Sequence, residues 1–262
     1  MRGFLRSRTG VFTAVAVAAV GIAAVLIVVS VVGSSDKKVN ATTIPSTTAP
    51  ATPGTTAPGS TTAPNPGFTV SGGAETAKIF RGIPQKLNVL GNPNAPVTMI
   101  EFADLQCPFC REFALEALPT IVRDYVRPGK VKLVFAGIAF IGPDSETALR
   151  ATYAAGLQSR LWNFLDLLYR NQGPENSGWV TDALLRATAK AIPGVDVGTL
   201  LSARQTAEVD NALLATRQQA SSARVTSTPS FFAGATGGTL NRINVTSLTP
   251  SAFRPALDAL LK

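Results

Sequence analysis

The chain has 262 residues and a formal net charge of +8, and it contains two cysteines and no histidine. Without histidine it cannot form a Ser-His-Asp triad, a Cys-His protease pair or a histidine-containing metal site. Half of the net charge lies in the first 38 residues, and the remaining +4 is spread over the rest of the chain. This charge is too diffuse to indicate nucleic-acid binding.

The first candidate element is an uninterrupted run of 22 uncharged, mostly apolar residues from Val11 to Val32. As a helix it would be about 33 Å long at about 1.5 Å per residue, which is enough to cross a bilayer. A cleavable signal peptide is the alternative, but its apolar core is usually only about 7–15 residues long. Arginines at positions 2, 6 and 8 precede the run, so the positive-inside rule favours a cytoplasmic N-terminus, residues 1–10. We therefore expect a single-pass protein of the cell membrane whose remaining chain is extracytoplasmic.

Residues 33–75 are predicted to be a disordered linker. Up to about Gly67 the composition is dominated by Thr, Pro, Ala, Gly and Ser, with irregular repeats of Thr-Thr-Ala-Pro. Such a sequence cannot bury a core, and its prolines stiffen and extend it. The linker would hold a folded domain, residues 76–262, on the order of 30 Å from the lipid surface.

Beyond the linker, the predicted elements begin with a strand that leads directly into the cysteines. Val97–Ala103 is a β-rich, mostly apolar run, which predicts a central strand buried on both faces. Apolar residues at helical spacing predict a helix from Pro108 to about Val126, bent by Pro119. A second strand is predicted at Val131–Ala136.

The rest of the domain is predicted to be mainly helical, with a return to strand near the end. Ala- and Leu-rich segments with helical patterns cover residues 145–171, 180–191 and 200–223. Strand patterns follow at 230–233 and 239–245, and a last amphipathic helix is predicted at 251–261. A β-α-β start, a helical insertion and a β-β-α finish indicate an α/β domain.

The two cysteines form a Cys-x-x-Cys pair, Cys107-Pro108-Phe109-Cys110, at the junction of the first predicted strand and helix. Cys107 falls at the helix N-cap, where free N–H groups and the helix dipole favour a thiolate, so it is expected to be the attacking cysteine. Cys110, one turn later and more buried, is expected to be the resolving thiol. Half of a zinc site and a purely structural disulfide are the alternatives. The chain lacks further Cys or His ligands, and so short a loop makes a weak staple.

The segment Glu101–Cys110 resembles the active-site segment of DsbA-like thioredoxin-fold proteins, in which an acidic strand residue precedes a Cys-Pro-x-Cys motif. Residues 161–164 and 168–173 are similar to the helical insertion of that family, and residues 227–232 are similar to its cis-proline segment. The resemblance implies a thioredoxin fold, about residues 88–136 and 225–262, interrupted by an all-helical domain at about 142–224. It also implies thiol–disulfide exchange as the reaction.

The resemblance further implies roles for residues around the cysteines. Pro229 is expected to follow a cis peptide bond beside the cysteine pair, and Thr228 to pair through its backbone with an extended substrate. Pro108 and Phe109 are expected to contact the substrate as well. Glu101 matches a buried acid that exchanges a proton with the second cysteine; the alternative is a strand residue that faces water. Many strongly oxidising members have histidine in place of Phe109, so the redox direction is left open.

Other polar and aromatic residues near the motif are interpreted as structural. Asp104 and Gln106 flank the cysteines and, as loop residues, are expected to lie at the surface. Trp162, Phe164 and Tyr169 lie at near-helical spacing and are expected in the core rather than in a peptide groove.

Together these observations predict an extracytoplasmic thiol–disulfide oxidoreductase that forms disulfides in secreted or cell-envelope proteins. A reductase or isomerase of the same fold and a tethered binding module with a structural disulfide are the alternatives. The resemblance implies a quinone-linked membrane reoxidant, either DsbB-like or vitamin K epoxide reductase-like. No cofactor, metal or nucleic acid is expected, and the protein is expected to be a monomer.

Overall fold

The fold is organised around β3 (Val97–Ala103), the strand that leads into the cysteines. In the computed structural model, which describes residues 68–262, β3 pairs in parallel with β4 (Val131–Gly137) and antiparallel with β5 (Ser230–Ala235). Three shorter strands complete the six-stranded sheet: β1 (Gln85–Lys86), β2 (Val89–Leu90) and β6 (Asn241–Ile243). The order β1-β2-β4-β3-β5-β6 leaves β3 in the interior of the sheet. All seven of its residues are buried, as predicted.

The two faces of β3 contribute to two different cores. Met99 and Ala103 belong to the larger core. Ile100 and Phe102 belong to a smaller cluster on the opposite side. Because side chains alternate along a strand, Glu101 points to the same side as Met99 and Ala103. A carboxyl group therefore faces the larger core.

The helices lie mostly in one block between β4 and β5. In chain order they are α1 (Gly73–Phe80), α2 (Pro108–Glu116), α3 (Leu118–Ile121), α4 (Pro143–Leu157), α5 (Leu161–Arg170), α6 (Asp182–Lys190), α7 (Val197–Ala203), α8 (Ala207–Ser222) and α9 (Pro250–Leu260). Helices α4 to α8 form an insertion between the β-α-β part and the β-β-α part. This is the predicted thioredoxin-fold arrangement with an all-helical insertion.

The helix predicted from residue 108 to about residue 126 consists of three segments. α2 ends at Glu116, α3 contains Pro119, and a π-helical turn covers Val122–Val126. Proline has no N–H group to donate to the carbonyl four residues earlier, so the hydrogen-bond ladder is interrupted there. The helix is therefore interrupted near Pro119, where the sequence predicted only a bend.

Two other predicted helical segments are also divided. The segment 145–171 becomes α4 and α5, because the backbone turns into the left-handed region at Ser159, where φ is 58°. The segment 200–223 becomes α7 and α8, separated by residues 204–206. Both divisions lie in turns that the Ala/Leu pattern does not reveal.

The start of the domain was not predicted. α1 begins at Gly73, inside the range 33–75 assigned to the linker. It is fixed to the rest of the domain because the Thr76 hydroxyl donates to the Asp166 carboxylate on α5. β1 and β2 have only two residues each, too few for an alternating pattern to predict.

The predicted membrane span at residues 11–32 and nearly all of the predicted linker lie outside the described residues. Within residues 68–262, no helix is both long enough and apolar enough to cross a membrane.

Candidate active site

The cysteine pair lies where β3 ends and α2 begins. Cys107 is the N-cap residue of α2, with extended backbone angles (φ −69°, ψ 121°), and Pro108 takes the first helical position. Both cysteines are free thiols. Cys107 is 4% exposed and Cys110 is fully buried, which agrees with the predicted order of accessibility.

The surroundings of Cys107 stabilise its thiolate. Its pKa is lowered from 9.0 to about 6, mainly by a hydrogen bond from the Cys110 thiol. The side chain of Thr228 and the N–H groups of Cys110 and Phe109 lower the pKa further, while burial opposes them. These N–H groups are the free donors of the first helical turn, as expected for an N-cap cysteine. At neutral pH, Cys107 is therefore mostly a thiolate.

Cys110 has the opposite electrostatic environment. Its pKa is raised well above 9.0, first because it is buried and then because its thiol donates to Cys107 and faces negative charge there and at Glu101. The thiol of Cys110 therefore keeps its proton. The pair is asymmetric, with one sulfur ready to attack and the other protonated.

Glu101 lies beneath the cysteine pair on the interior strand β3. It is 3% exposed, and its Oε1 atom has no hydrogen-bond partner in the described part of the chain. Burial, followed by repulsion from Cys107, raises its pKa to about 8. The predicted burial is confirmed, and the alternative of a strand residue facing water is wrong.

Thr228 and Pro229 approach Cys107 from the other side. The bond between them is cis, as predicted, and Pro229 directly precedes β5. The Cys107 sulfur lies 3.4 Å from the Thr228 carbonyl oxygen, to which it donates a hydrogen bond when it is protonated. Pro108 and Phe109 are exposed, Phe109 to 60%, so they form the surface beside the cysteine pair.

The expectation that Asp104 and Gln106 lie at the surface is wrong. Both are buried. The Asp104 carboxylate accepts hydrogen bonds from the N–H groups of Gln106 (2.8 Å), Phe140 (2.8 Å) and Ile141 (3.0 Å) and from the Ser145 hydroxyl (2.6 Å). The helical insertion covers this loop, so a buried carboxylate holds the entrance of the insertion to the segment before Cys107.

The predicted core positions of Trp162, Phe164 and Tyr169 are confirmed, since all three are at most 1% exposed. Tyr169 also has a contact that its spacing did not indicate. Its hydroxyl donates to the backbone carbonyl of Asp104 at 3.2 Å. An aromatic core residue of the insertion is therefore bonded to the active-site loop.

Sequence reasoning also missed Gln172, whose side chain reaches the active-site loop from the end of α5. Its Nε2 atom donates to the carbonyls of Leu105 (2.9 Å) and Cys107 (3.2 Å). The only sequence signal was its place in the segment that resembles the family's insertion, and that signal carries no information on contacts.

Comparison with known proteins agrees with this geometry. The family profile described as thioredoxin matches residues 85–258. A probable disulfide bond formation protein D of Bacillus cereus is 39% identical over 111 residues, which cover 41% of this chain and 51% of that protein. A protein of the same description from Bacillus anthracis is 32% identical over 146 residues, covering 55% of this chain and 67% of that protein. The chain thus spans only about half the length of the first of these relatives.

Solved structures share the fold. The crystal structure of oxidised BdbD from Bacillus subtilis has a TM-score of 0.58 and 23% identity, covering 68% of this chain and 97% of that chain. At this identity the similarity establishes the fold alone. Because the thioredoxin profile covers more than half of the sequence, including β3, both cysteines, the insertion and Pro229, the chain belongs to the thioredoxin family, with a DsbA-like fold.

Proposed function

We propose that the protein is an extracytoplasmic thiol–disulfide oxidoreductase that forms disulfides in secreted or cell-envelope proteins. The observation that carries this proposal is the asymmetry of the cysteine pair: the pKa of Cys107 is lowered to about 6 and that of Cys110 is raised. A stabilised thiolate is both the attacking form of a cysteine and a good leaving group. The names of the Bacillus relatives, disulfide bond formation proteins, support the same activity.

The reaction begins from the Cys107–Cys110 disulfide. A substrate thiolate attacks the Cys107 sulfur, so a substrate–Cys107 disulfide forms and Cys110 leaves as a thiolate. A second substrate thiolate then attacks the substrate sulfur of this mixed disulfide, and Cys107 leaves as its stabilised thiolate. The substrate has lost two electrons to the enzyme, which is left as the dithiol and must be reoxidised.

Glu101 is proposed to be the general acid and base that exchanges a proton with Cys110. With a pKa of about 8, its carboxyl group is largely protonated near neutral pH and can give a proton to the departing Cys110 thiolate. It can take the proton back when the disulfide forms again. Its Oε1 atom has no hydrogen-bond partner within residues 68–262, which supports a group that changes its protonation during the reaction.

Substrate binding is proposed at the exposed surface around Cys107. The Thr228 backbone lies beside the sulfur and can pair with an extended chain as an added strand would. Pro108 and Phe109 provide an exposed apolar surface next to it. Such a surface fits an unfolded polypeptide, whose backbone and apolar side chains are accessible.

The location and the partner are part of the proposal. The apolar run 11–32 and the linker after it support an anchored domain that faces away from the cytoplasm. The reoxidant is proposed to be a quinone-linked membrane protein, DsbB-like or vitamin K epoxide reductase-like. Carbonate extraction of membranes, together with protease accessibility of the domain in intact cells, tests the location.

Trapping of substrates tests the activity. In the full-length chain, Cys110→Ser removes the resolving thiol. Its Cys107 thiolate should attack a disulfide of scrambled, unfolded lysozyme and release one lysozyme thiolate, so the mixed disulfide at Cys107 should accumulate and should disappear on reduction. Cys107→Ser is the matched control and should trap nothing. Absence of adducts with Cys110→Ser, together with no oxidation of lysozyme by the wild type, would contradict the proposal.

Equilibration with glutathione tests the direction. Reduction potentials of such sites range from roughly −270 mV for reductases to about −120 mV for strong oxidases. The low pKa of Cys107 stabilises the reduced form, in which Cys107 is a thiolate. We therefore expect a reduction potential toward the oxidising end of this range. A value near the reducing end would reassign the protein as a reductase.

A further inference from the structure

The helical insertion contacts the active-site loop through a side chain that has no role in the mechanism above. Gln172 lies two residues beyond the end of α5, and its Nε2 atom donates to the carbonyls of Leu105 at 2.9 Å and Cys107 at 3.2 Å. A glutamine amide carries two N–H bonds, so it can serve both acceptors at once. One side chain of the insertion is therefore bonded to the reactive cysteine and to the loop that precedes it.

Hydrogen bonds of the neighbouring residue Tyr169 also fix the end of α5 to the active-site loop. The hydroxyl of Tyr169 donates to the Asp104 carbonyl, and the Tyr169 carbonyl accepts from Nε of Arg111 at 2.9 Å. Arg111 belongs to α2, so the end of α5 is bonded to the chain on both sides of the cysteine pair. Among these contacts, Gln172 is the one that reaches a cysteine.

The bond to the Cys107 carbonyl affects the peptide group that begins α2. As the N-cap residue, Cys107 has a carbonyl that also accepts the N–H group of Arg111, at 3.1 Å. The orientation of this peptide group decides whether the N–H groups of Phe109 and Cys110 point at the Cys107 sulfur. Without Gln172 the two carbonyl oxygens would also lose donors that offset their partial negative charge close to a thiolate.

We propose that Gln172 is a positioning residue for the redox centre, which holds the Leu105 and Cys107 carbonyl groups in the orientation that favours the Cys107 thiolate. The inference rests on the proposed oxidoreductase function and adds to it a regulator of the oxidising strength of the site. It places this control in the helical insertion, outside the Cys-x-x-Cys motif.

The test is Gln172→Leu in the full-length chain, which keeps a similar volume and removes both donors. The pKa of Cys107 is measured from the pH dependence of iodoacetamide alkylation and from thiolate absorbance. We expect it to rise by about one unit, which at pH 6 lowers the alkylation rate about fivefold. The equilibrium with glutathione, measured at pH 8, should shift about tenfold toward the disulfide form, equivalent to about 30 mV.

Gln158→Leu is the matched control. Gln158 lies at the far end of α4, where its amide also bridges backbone groups, donating to the Asp196 carbonyl (3.0 Å) and accepting from its N–H group (2.8 Å). This variant should lower thermal stability by a comparable amount and leave the Cys107 pKa unchanged. Stability alone therefore cannot account for a pKa change at Gln172→Leu.

Gln172→Glu gives an independent reading if the leucine variant does not fold, because it keeps the shape and loses the donors when ionised. We expect an increase in the Cys107 pKa at least as large as in the leucine variant. A wild-type pKa and potential in either folded variant would overturn the inference while the wild type still exchanges disulfides. A wild type that neither exchanges disulfides nor equilibrates with glutathione would instead defeat the proposed function.

Discussion

Two segments lie on opposite sides of the Cys107 sulfur, and they differ in how many hydrogen bonds fix them to the rest of the domain. The leading segment (residues 104–107) is bonded to the helical insertion by the Asp104 carboxylate and by Gln172 and Tyr169. The cis-proline segment (residues 226–229) has fewer ties, among them the Ser230 hydroxyl, which donates to the Ser227 carbonyl. Residues 226 and 227 are exposed. One side of the site thus fixes the sulfur, and the other leaves backbone groups available to a substrate.

The largest expected effect comes from breaking the leading segment at Asp104. Asp104→Ala leaves the N–H groups of Gln106, Phe140 and Ile141 without their acceptor, so we expect a loss of about 3–5 kcal/mol in the free energy of unfolding. Asp104→Asn keeps one acceptor oxygen and should lose about half as much. Urea unfolding of the full-length chain measures both. A loss below about 1 kcal/mol in the alanine variant would mean that the leading segment is not held as described.

Glu101, beneath both segments, should have the next largest effect. Its pKa is raised from 4.5 to about 8, so the folded state keeps a proton that the unfolded state releases, and wild-type stability should fall as the pH rises across that window. Glu101→Gln cannot ionise, so its stability does not fall in this way. At pH 7 we expect the variant to be more stable than the wild type by about 2 kcal/mol, a value from which the cost of burying the amide has been subtracted.

The difference between the wild-type and Glu101→Gln stability curves, measured from pH 4 to pH 9, isolates this carboxyl group from the cysteines. Disulfide exchange by the variant should be slower, because the proton for Cys110 is missing. Parallel stability curves would show that Glu101 does not titrate in this range.

The smallest expected effect on stability is at the cis-proline segment. Thr228→Val removes the hydroxyl that stabilises the Cys107 thiolate and keeps the backbone, so the pKa of Cys107 should rise by about one unit. Unfolding should change by less than about 1 kcal/mol, because few other groups depend on this side chain. Thr228→Ser keeps a hydroxyl and should retain the wild-type pKa. A large loss of stability in Thr228→Val would contradict the description of the cis-proline segment as the less firmly bonded of the two segments.

Elements with strong local patterns were predictable. The buried run Val97–Ala103 corresponds to β3 residue for residue, and the return to strand at residue 230 was predicted from its β-rich sequence. The breaks at Pro119 and Ser159 and the short strands β1 and β2 were not predicted in full. Helix ends and two-residue strands depend on tertiary hydrogen bonds, which a local pattern does not encode.

The sequence by itself determined the cysteine pair, its place at a helix N-cap and the exclusion of histidine chemistry, because these follow from residue identity and spacing. Its resemblance to a family indicated Glu101, Thr228 and Pro229. Only the tertiary structure decided that Asp104 is buried and that Gln172 is bonded to Cys107, residues 65 positions apart in the chain. Burial and hydrogen bonding between distant segments depend on how the insertion packs on the sheet. This packing decides whether the loop before Cys107 is exposed to solvent or buried and fixed by hydrogen bonds.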